Sequence, residues 1–291
     1  MSAPVSLLAL DLDDTLLRAD LTFSRHTKSV LKRAEDAGLT LVLASGRAPA
    51  AMERYARELG MHKKPGYMVA NNGTSIHKTD TGEVVYDRSV PVDPALVVYD
   101  LASAEGLPVQ IYDGDTIYVS CRNEYADQDQ KLTGLRQVYV ENFRSMLAKG
   151  QRKMVIPGDP LLLRPFERIL KNTVGELVTI FTSKPYFLEV LPPNSGKGEA
   201  LAEVSRLLGI PRSRIMAVGD SMNDESMLRW AGWGVAMRNS DERVKDLASF
   251  TSEFDNEEEG VAELVQRYIL DGEPLPVPPR GLDDAENGGC L

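Results

Sequence analysis

The run at residues 7–10 is entirely apolar, and it delivers three carboxylates within the next four positions, Asp11, Asp13 and Asp14. No other feature of this chain constrains its fold so much. A short strand with no polar alternation is the sequence of a strand buried on both faces, as in a parallel sheet covered by helices. The acids then lie at the strand's carboxyl end. Like charges this close repel, and carboxylates are rarely buried without a partner. Something of opposite charge has to sit among them.

The next segments repeat the theme. Ser24 caps an amphipathic helix that stops at Gly38, and a second apolar run, 39–44, leads into Ser45-Gly46-Arg47. Met52, Tyr55, Ala56 and Leu59 mark another helix face, and residues 66–73 read as a third strand ending in Asn72-Gly73. Strand, helix, strand, helix, strand predicts a parallel sheet with crossover helices. Residues 85–190 read differently, with many short strand-like runs and few helical ones, as an α+β insertion with a largely antiparallel sheet. From residue 191 the first style returns, with Lys197 between two glycines before a helix and a fourth acid-tipped strand at 214–220. The expected organisation is a discontinuous core, 1–84 and 191–270, interrupted by an inserted domain, 85–190. The proline- and glycine-rich segment 271–291 is expected to be a disordered tail.

Composition excludes several classes. The 291 residues carry a net charge of −10 with no basic stretch to offset it, which argues against nucleic acid and anionic membranes as partners. Two cysteines, Cys121 and Cys290, make no disulfide framework. The N-terminus lacks a basic n-region, and no run reaches the roughly 18 apolar residues of a membrane helix. A cytoplasmic protein is expected, as monomer or homodimer alike. The histidines, His26, His62 and His77, have no ligand spacing and are expected at the surface.

In an open parallel sheet, ligands bind at the carboxyl ends of the strands. Four strand ends would gather Asp11, Asp13, Asp220 and Asp224 on one edge. Oxygen donors of this kind suit a hard divalent cation, Mg²⁺ first, which keeps sites for water and phosphate oxygens. An EF-hand starting at Asp11 is excluded by Leu16 and Thr22, which stand where glycine and glutamate are needed. Ser45 and Gly46 supply a hydroxyl and bare N–H groups at a helix start, and Lys197 adds an ammonium. Carboxylates, a metal, a lysine and a phosphate cradle together imply phosphoryl transfer. No P-loop and no serine or cysteine nucleophile motif is present, so an aspartate is the natural nucleophile.

At this point the chain resembles a known family. Asp-Leu-Asp-Asp-Thr-Leu-Leu (11–17), Ser-Gly-Arg (45–47), Ser-Gly-Lys-Gly-Glu-Ala-Leu (195–201) and Gly-Asp-Ser-Met-Asn-Asp (219–224) resemble the four motifs of the haloacid dehalogenase (HAD) superfamily. More closely they resemble its Cof-type, or IIB, sugar-phosphatase branch. About 150 residues separate Arg47 from Lys197, room for that branch's cap. The resemblance implies a Rossmann-like parallel-sheet core with an inserted α+β (C2B-type) cap. It implies that Asp11 attacks phosphorus, and that Asp13 protonates the leaving alcohol and then deprotonates water. That acid role calls for a raised pKa at Asp13. Mg²⁺ would be held by the Asp11 carboxylate, the Asp13 carbonyl and Asp220. Phosphate would be gripped by the Leu12 N–H, Ser45, Gly46, Lys197 and Asn223, with Arg47 either joining them or pairing with a cap acid. Asp224 would orient a metal-bound water or Lys197, and Asp14 and Thr15 would support the loop.

The implied activity is Mg²⁺-dependent hydrolysis of small phosphorylated metabolites, sugar phosphates or phosphorylated cofactors, through an aspartyl-phosphate. Two alternatives stand beside it: a phosphomutase of the phosphomannomutase type, and a non-enzymatic ligand-binding protein on the same scaffold.

Overall fold

The computed structural model describes residues 5–280. The chain first lays down β1 (Leu7–Leu10), β2 (Thr40–Ala44), β3 (Tyr67–Ala70), β4 (Ser75–Lys78) and β5 (Val84–Asp87). It then builds a second sheet from β6 (Gln110–Asp113), β7 (Thr116–Val119), β8 (Arg136–Tyr139), β9 (Met154–Pro157), β10 (Thr179–Lys184) and β11 (Phe187–Leu191). It returns to the first sheet with β12 (Ile215–Gly219), β13 (Trp233–Ala236) and β14 (Phe250–Thr251).

The first sheet has eight strands in the order β14-β13-β12-β1-β2-β3-β4-β5. It is parallel from β14 to β3 and antiparallel beyond. Successive strand residues face opposite sides, and β1 shows what that does here. Leu8 and Leu10 enter one helical layer with Val30, Leu31 and Val265, while Leu7 and Ala9 enter the other with Ala200, Leu201 and Val204. All four β1 side chains are fully buried, and each leucine contributes about 1.5–3 kcal/mol by leaving water. The helix Arg25–Asp36 begins where Ser24 Oγ accepts the Thr27 N–H at 2.9 Å. Because β2 and β12 flank β1 on opposite sides, the chain reverses its winding at β1, and the carboxyl ends there open into a crevice.

The cap sheet runs β10-β11-β9-β6-β7-β8 and is antiparallel except for the parallel pair β7–β8. Helices Val92–Ala104 and Pro160–Val174 cover one face, through Val98, Ala102, Leu163, Phe166 and Leu170 packed on Met154, Ile156, Leu188 and Val190. The alternate residues of the same strands face the core.

Three expectations are corrected. Residues 85–87 do not open the insertion: with Val84 they form β5, which pairs with β4 as the edge strand of the first sheet, and β11 runs to Leu191 in the second. An apolar–polar run shows that a strand forms, not which sheet it joins. Within the expected tail, residues 271–280 are not free. Leu275 and Val277 pack on the core, Trp233 Nε1 donates to the Val277 carbonyl at 3.0 Å, and Arg280 bonds the Leu228 and Leu247 carbonyls. Residues 281–291, Cys290 among them, lie outside the described residues. His77 is not a surface residue: it is buried in β4 with Nε2 3.0 Å from Ser75 Oγ.

Candidate active site

Four segments reach the crevice. β1 leads into Asp11, β2 into Ser45, β3 into Asn71 and β12 into Asp220. Lys197 is the first residue of the helix Lys197–Leu208. Gly73, at φ +92°, lets the loop after β3 pass so close to this helix start that an added Cβ would lie 2.0 Å from the Gly196 carbonyl oxygen.

The Lys197 ammonium is fully buried and lies 2.5 Å from both Asp11 Oδ1 and Asp224 Oδ1. Asp224 is committed on both oxygens, because Oδ2 accepts the N–H groups of Asp220 and Ser221. Thr15 Oγ1 donates to Asp220 Oδ1 at 2.9 Å. One ammonium therefore faces three acids, and carboxylate oxygens of Asp11, Asp220 and Asp224 lie within 4.8 Å of one another. Burial raises the Asp11 pKa to about 7, with Lys197 opposing the rise and Asp224 adding to it. Burial, then Asp11 and Asp224, raise Asp220 well above the usual carboxylate range. Burial works against the Lys197 charge, but Asp11 and Asp224 outweigh it and raise its pKa.

This excess of negative charge, presented as oxygen donors, is the environment a hard divalent cation neutralises. With Asp224 already engaged by Lys197 and two backbone amides, Asp11 and Asp220 are the carboxylates best placed to hold such an ion.

Asp13 departs from expectation. Burial would raise its pKa, but Arg47 donates Nε at 2.8 Å and Nη2 at 2.6 Å to its two oxygens, and the pKa is lowered. Arg47 thus pairs with a core acid rather than a cap acid. Its third nitrogen, Nη1, is buried without a partner and belongs to a side chain lining the cavity. The remaining sequence-predicted residues fall nearby. Ser45 is buried and its Oγ accepts the Arg47 N–H at 3.2 Å, and Asn223 Nδ2 donates to Asn72 Oδ1 at 3.2 Å. Leu12 packs its side chain in the core while its backbone opens the loop. Asp14 takes a left-handed φ of 58°, is exposed at the cavity rim, and its carbonyl accepts Asn239 Nδ2 at 2.7 Å.

The cavity, about 250 Å³, is closed from the cap side by residues that short motifs do not reveal. Lys153 is buried, donates to the Gly46 carbonyl at 2.8 Å, lies 3.6 Å from Glu189 Oε2 and stands 4.7 Å from the Tyr112 ring centre. Tyr112 donates to the buried Asp129, whose pKa burial raises. Tyr112 and Glu189 stand on β6 and β11 where alternate residues turn toward the core, Lys153 immediately precedes β9, and Asp129 lies on the helix Ala126–Thr133. A lone charge in an otherwise apolar strand, as at Glu189, is a sequence signal that marks one of them.

Comparison with known proteins places this geometry. The chain matches the haloacid dehalogenase-like hydrolase family over residues 8–265. A solved haloacid dehalogenase-like hydrolase from Bacteroides thetaiotaomicron is 32% identical, with a TM-score of 0.84 over 90% of this chain and 99% of its own. The HMP-PP phosphatase of Escherichia coli O6:H1 is 31% identical over 235 residues, 80% of this chain and 84% of its own. The Bacillus subtilis 5-amino-6-(5-phospho-D-ribitylamino)uracil phosphatase YitU is 28% identical over 267 residues, 90% of this chain and 97% of its own. With the acid-tipped parallel sheet, the buried lysine and the inserted cap all in place, the chain belongs to the haloacid dehalogenase superfamily of hydrolases, in its Cof-type branch.

Proposed function

We propose that the protein is a Mg²⁺-dependent phosphomonoesterase that works through an aspartyl-phosphate on Asp11. The observation that carries the reading is the convergence of Asp11, Lys197, Asp220 and Asp224, from three distant segments, on one buried point at the sheet's carboxyl edge. A bound divalent ion would supply charge neutralisation for the phosphoryl oxygens and would be held by Asp11, the Asp13 carbonyl and Asp220.

The chain's own groups account for the rest. An Asp11 oxygen attacks phosphorus, and the ester P–O bond breaks as Asp13 gives a proton to the departing alkoxide. Water then attacks the phosphorus of the aspartyl-phosphate, Asp13 takes its proton, and the P–O bond to Asp11 breaks. Lys197 keeps the Asp11 carboxylate oriented, as the 2.5 Å contact supports. Arg47 Nη1, buried and unpartnered, is a donor for phosphate oxygens together with the Leu12 N–H, Ser45, Gly46 and Asn223. Phosphate that engages Arg47 competes with Asp13 for the guanidinium and so weakens what lowers the Asp13 pKa, which lets the carboxylate take up from solvent the proton it gives to the alkoxide.

The cavity suits a small substrate, and its wall mixes acceptors, Asp129 and Glu189, with donors, Lys153 and Lys184. That mixture favours a hydroxyl-bearing leaving group, a sugar phosphate or a phosphorylated cofactor. The acidic balance of the chain argues against a nucleic-acid ligand. No helix among the described residues is long and apolar enough to cross a membrane, and a cytoplasmic location fits the substrate class.

The test is phosphate release from a panel of phosphorylated metabolites with and without divalent ions. Stripping metal with EDTA is expected to lower kcat by about 100-fold or more, the scale of several kcal/mol of lost charge stabilisation. Mg²⁺ is expected to restore it, and also to raise the melting temperature, since an ion that binds only the folded state stabilises it. Turnover that survives complete chelation would remove the metal from the mechanism.

A further inference from the structure

We infer that Asn72 is a positioning residue that ties the seated cap to the phosphate-gripping loop, so that Gly46 and Asn223 are correctly placed only when the cap strand bearing Glu189 is docked. The inference rests on the phosphatase reading above.

Asn72 meets three separate parts of the molecule. Its backbone N–H donates to the Ser45 carbonyl at 3.0 Å. Its side-chain Oδ1 accepts Asn223 Nδ2 at 3.2 Å, and its Nδ2 donates to Glu189 Oε2 at 2.7 Å. The same amide lies against Gly46, where an added Cβ would stand 2.9 Å from Oδ1, 3.0 Å from Nδ2 and 3.2 Å from Cγ. Gly46 therefore rests directly on this side chain. On the cap side, Lys153 completes a closed circuit: it approaches Glu189 at 3.6 Å and donates to the Gly46 carbonyl at 2.8 Å.

The three side chains of the circuit are buried, with Asn72 at 1% exposure and Glu189 at 4%, and Gly46 is half-buried. A buried carboxylate is tolerated only with partners. Among its hydrogen-bond and ion-pair contacts, Glu189 finds one on the core, the Asn72 amide, and one on the cap, Lys153. Lys153 in turn bonds the core at Gly46. Separation of cap and core breaks the Asn72–Glu189 and Lys153–Gly46 bonds together, so cap seating and loop geometry form one equilibrium. Asn72 stands at φ 55°, a left-handed conformation that asparagine and aspartate both adopt readily. A change of side-chain charge at this position therefore leaves the backbone requirement satisfied.

That equivalence provides the test. Asn72→Asp sets a second carboxylate against Glu189, and like charges at hydrogen-bond distance drive cap and loop apart. The expected result with para-nitrophenyl phosphate and Mg²⁺ is a fall of about 100-fold, carried mainly by kcat because the reacting groups lose alignment. Glu189→Gln alone keeps an oxygen that accepts from Asn72 and is expected to lose less than about tenfold. The double variant Asn72→Asp/Glu189→Gln rebuilds the bond in reverse with the net charge unchanged, and is expected to recover to within about tenfold of wild type, a coupling that independent sites do not show.

Melting temperature follows the same cycle without reference to turnover: lowered in Asn72→Asp, restored in the double variant. A double variant no more active and no more stable than Asn72→Asp, or an Asn72→Asp enzyme equal to wild type in both readouts, would overturn the inference. A wild-type protein inactive on every phosphoester would instead overturn the phosphatase reading, while the melting cycle still decides whether the tie exists.

Discussion

Asp11→Asn is expected to lower kcat by about 10⁴-fold or more, the scale seen when a covalent nucleophile is removed. The substitution is nearly isosteric, and an asparagine Oδ1 can still accept the Lys197 ammonium that now lies 2.5 Å from Asp11 Oδ1. The fold and the lysine's position are thereby kept, and only the nucleophilic oxygen pair is lost. Asp11 sits at the end of a strand whose residues are all buried, so the loop geometry depends on packing rather than on the carboxylate. Steady-state kinetics checks the outcome, with far-UV circular dichroism confirming that the variant is folded. Wild-type turnover in a folded Asp11→Asn enzyme would contradict nucleophilic attack by this residue.

Lys197→Met is the second large effect, and it appears in stability as well as activity. Methionine has nearly the same length and leaves no cavity, so the change removes charge alone. Asp11 and Asp224 then remain buried without the cation they share. Breaking a buried pair by deleting one partner typically costs about 3–5 kcal/mol, because the stranded charge has no solvent. Urea unfolding in EDTA is expected to show a loss of that order. Saturating Mg²⁺ is expected to recover part of it, since a divalent ion held as proposed by Asp11 and Asp220 would supply positive charge to the same cluster. A metal-free variant within about 1 kcal/mol of wild type would mean that these carboxylates are neutral whenever the lysine is absent.

The convergence at the crevice was legible because it follows from topology. Once 7–10, 39–44 and 214–219 read as parallel strands, their carboxyl ends must share one edge, and the residues that end them come together however far apart they are in the chain. Asp11, Ser45 and Asp220 arrive there for that reason. The state of Asp13 was not legible, because nothing in Ser45-Gly46-Arg47 reveals that the guanidinium forks around that one carboxylate.

The cap wall was harder still. Tyr112, Asp129, Lys153 and Glu189 are scattered over two strands, a helix and the approach to a third strand, and Tyr112, Lys153 and Glu189 face the cavity because their neighbours Ile111, Met154, Leu188 and Val190 are drawn into the cap's own core. That choice of face is made by packing against the helices Val92–Ala104 and Pro160–Val174, which a strand's own sequence does not contain. The segment 271–280 misled for a related reason. Its prolines exclude regular structure, but its two apolar residues, Leu275 and Val277, are enough to dock it on the core.

The central claim is a double displacement at phosphorus with Asp11 as the first nucleophile. Its most direct measurement is the stereochemical course of hydrolysis, using a thiophosphate monoester made chiral with oxygen isotopes and turned over in isotopically labelled water. Two successive in-line attacks, one by Asp11 and one by water, predict net retention of configuration in the released thiophosphate. Net inversion would show a single direct attack by water, and the aspartyl-phosphate mechanism would be wrong.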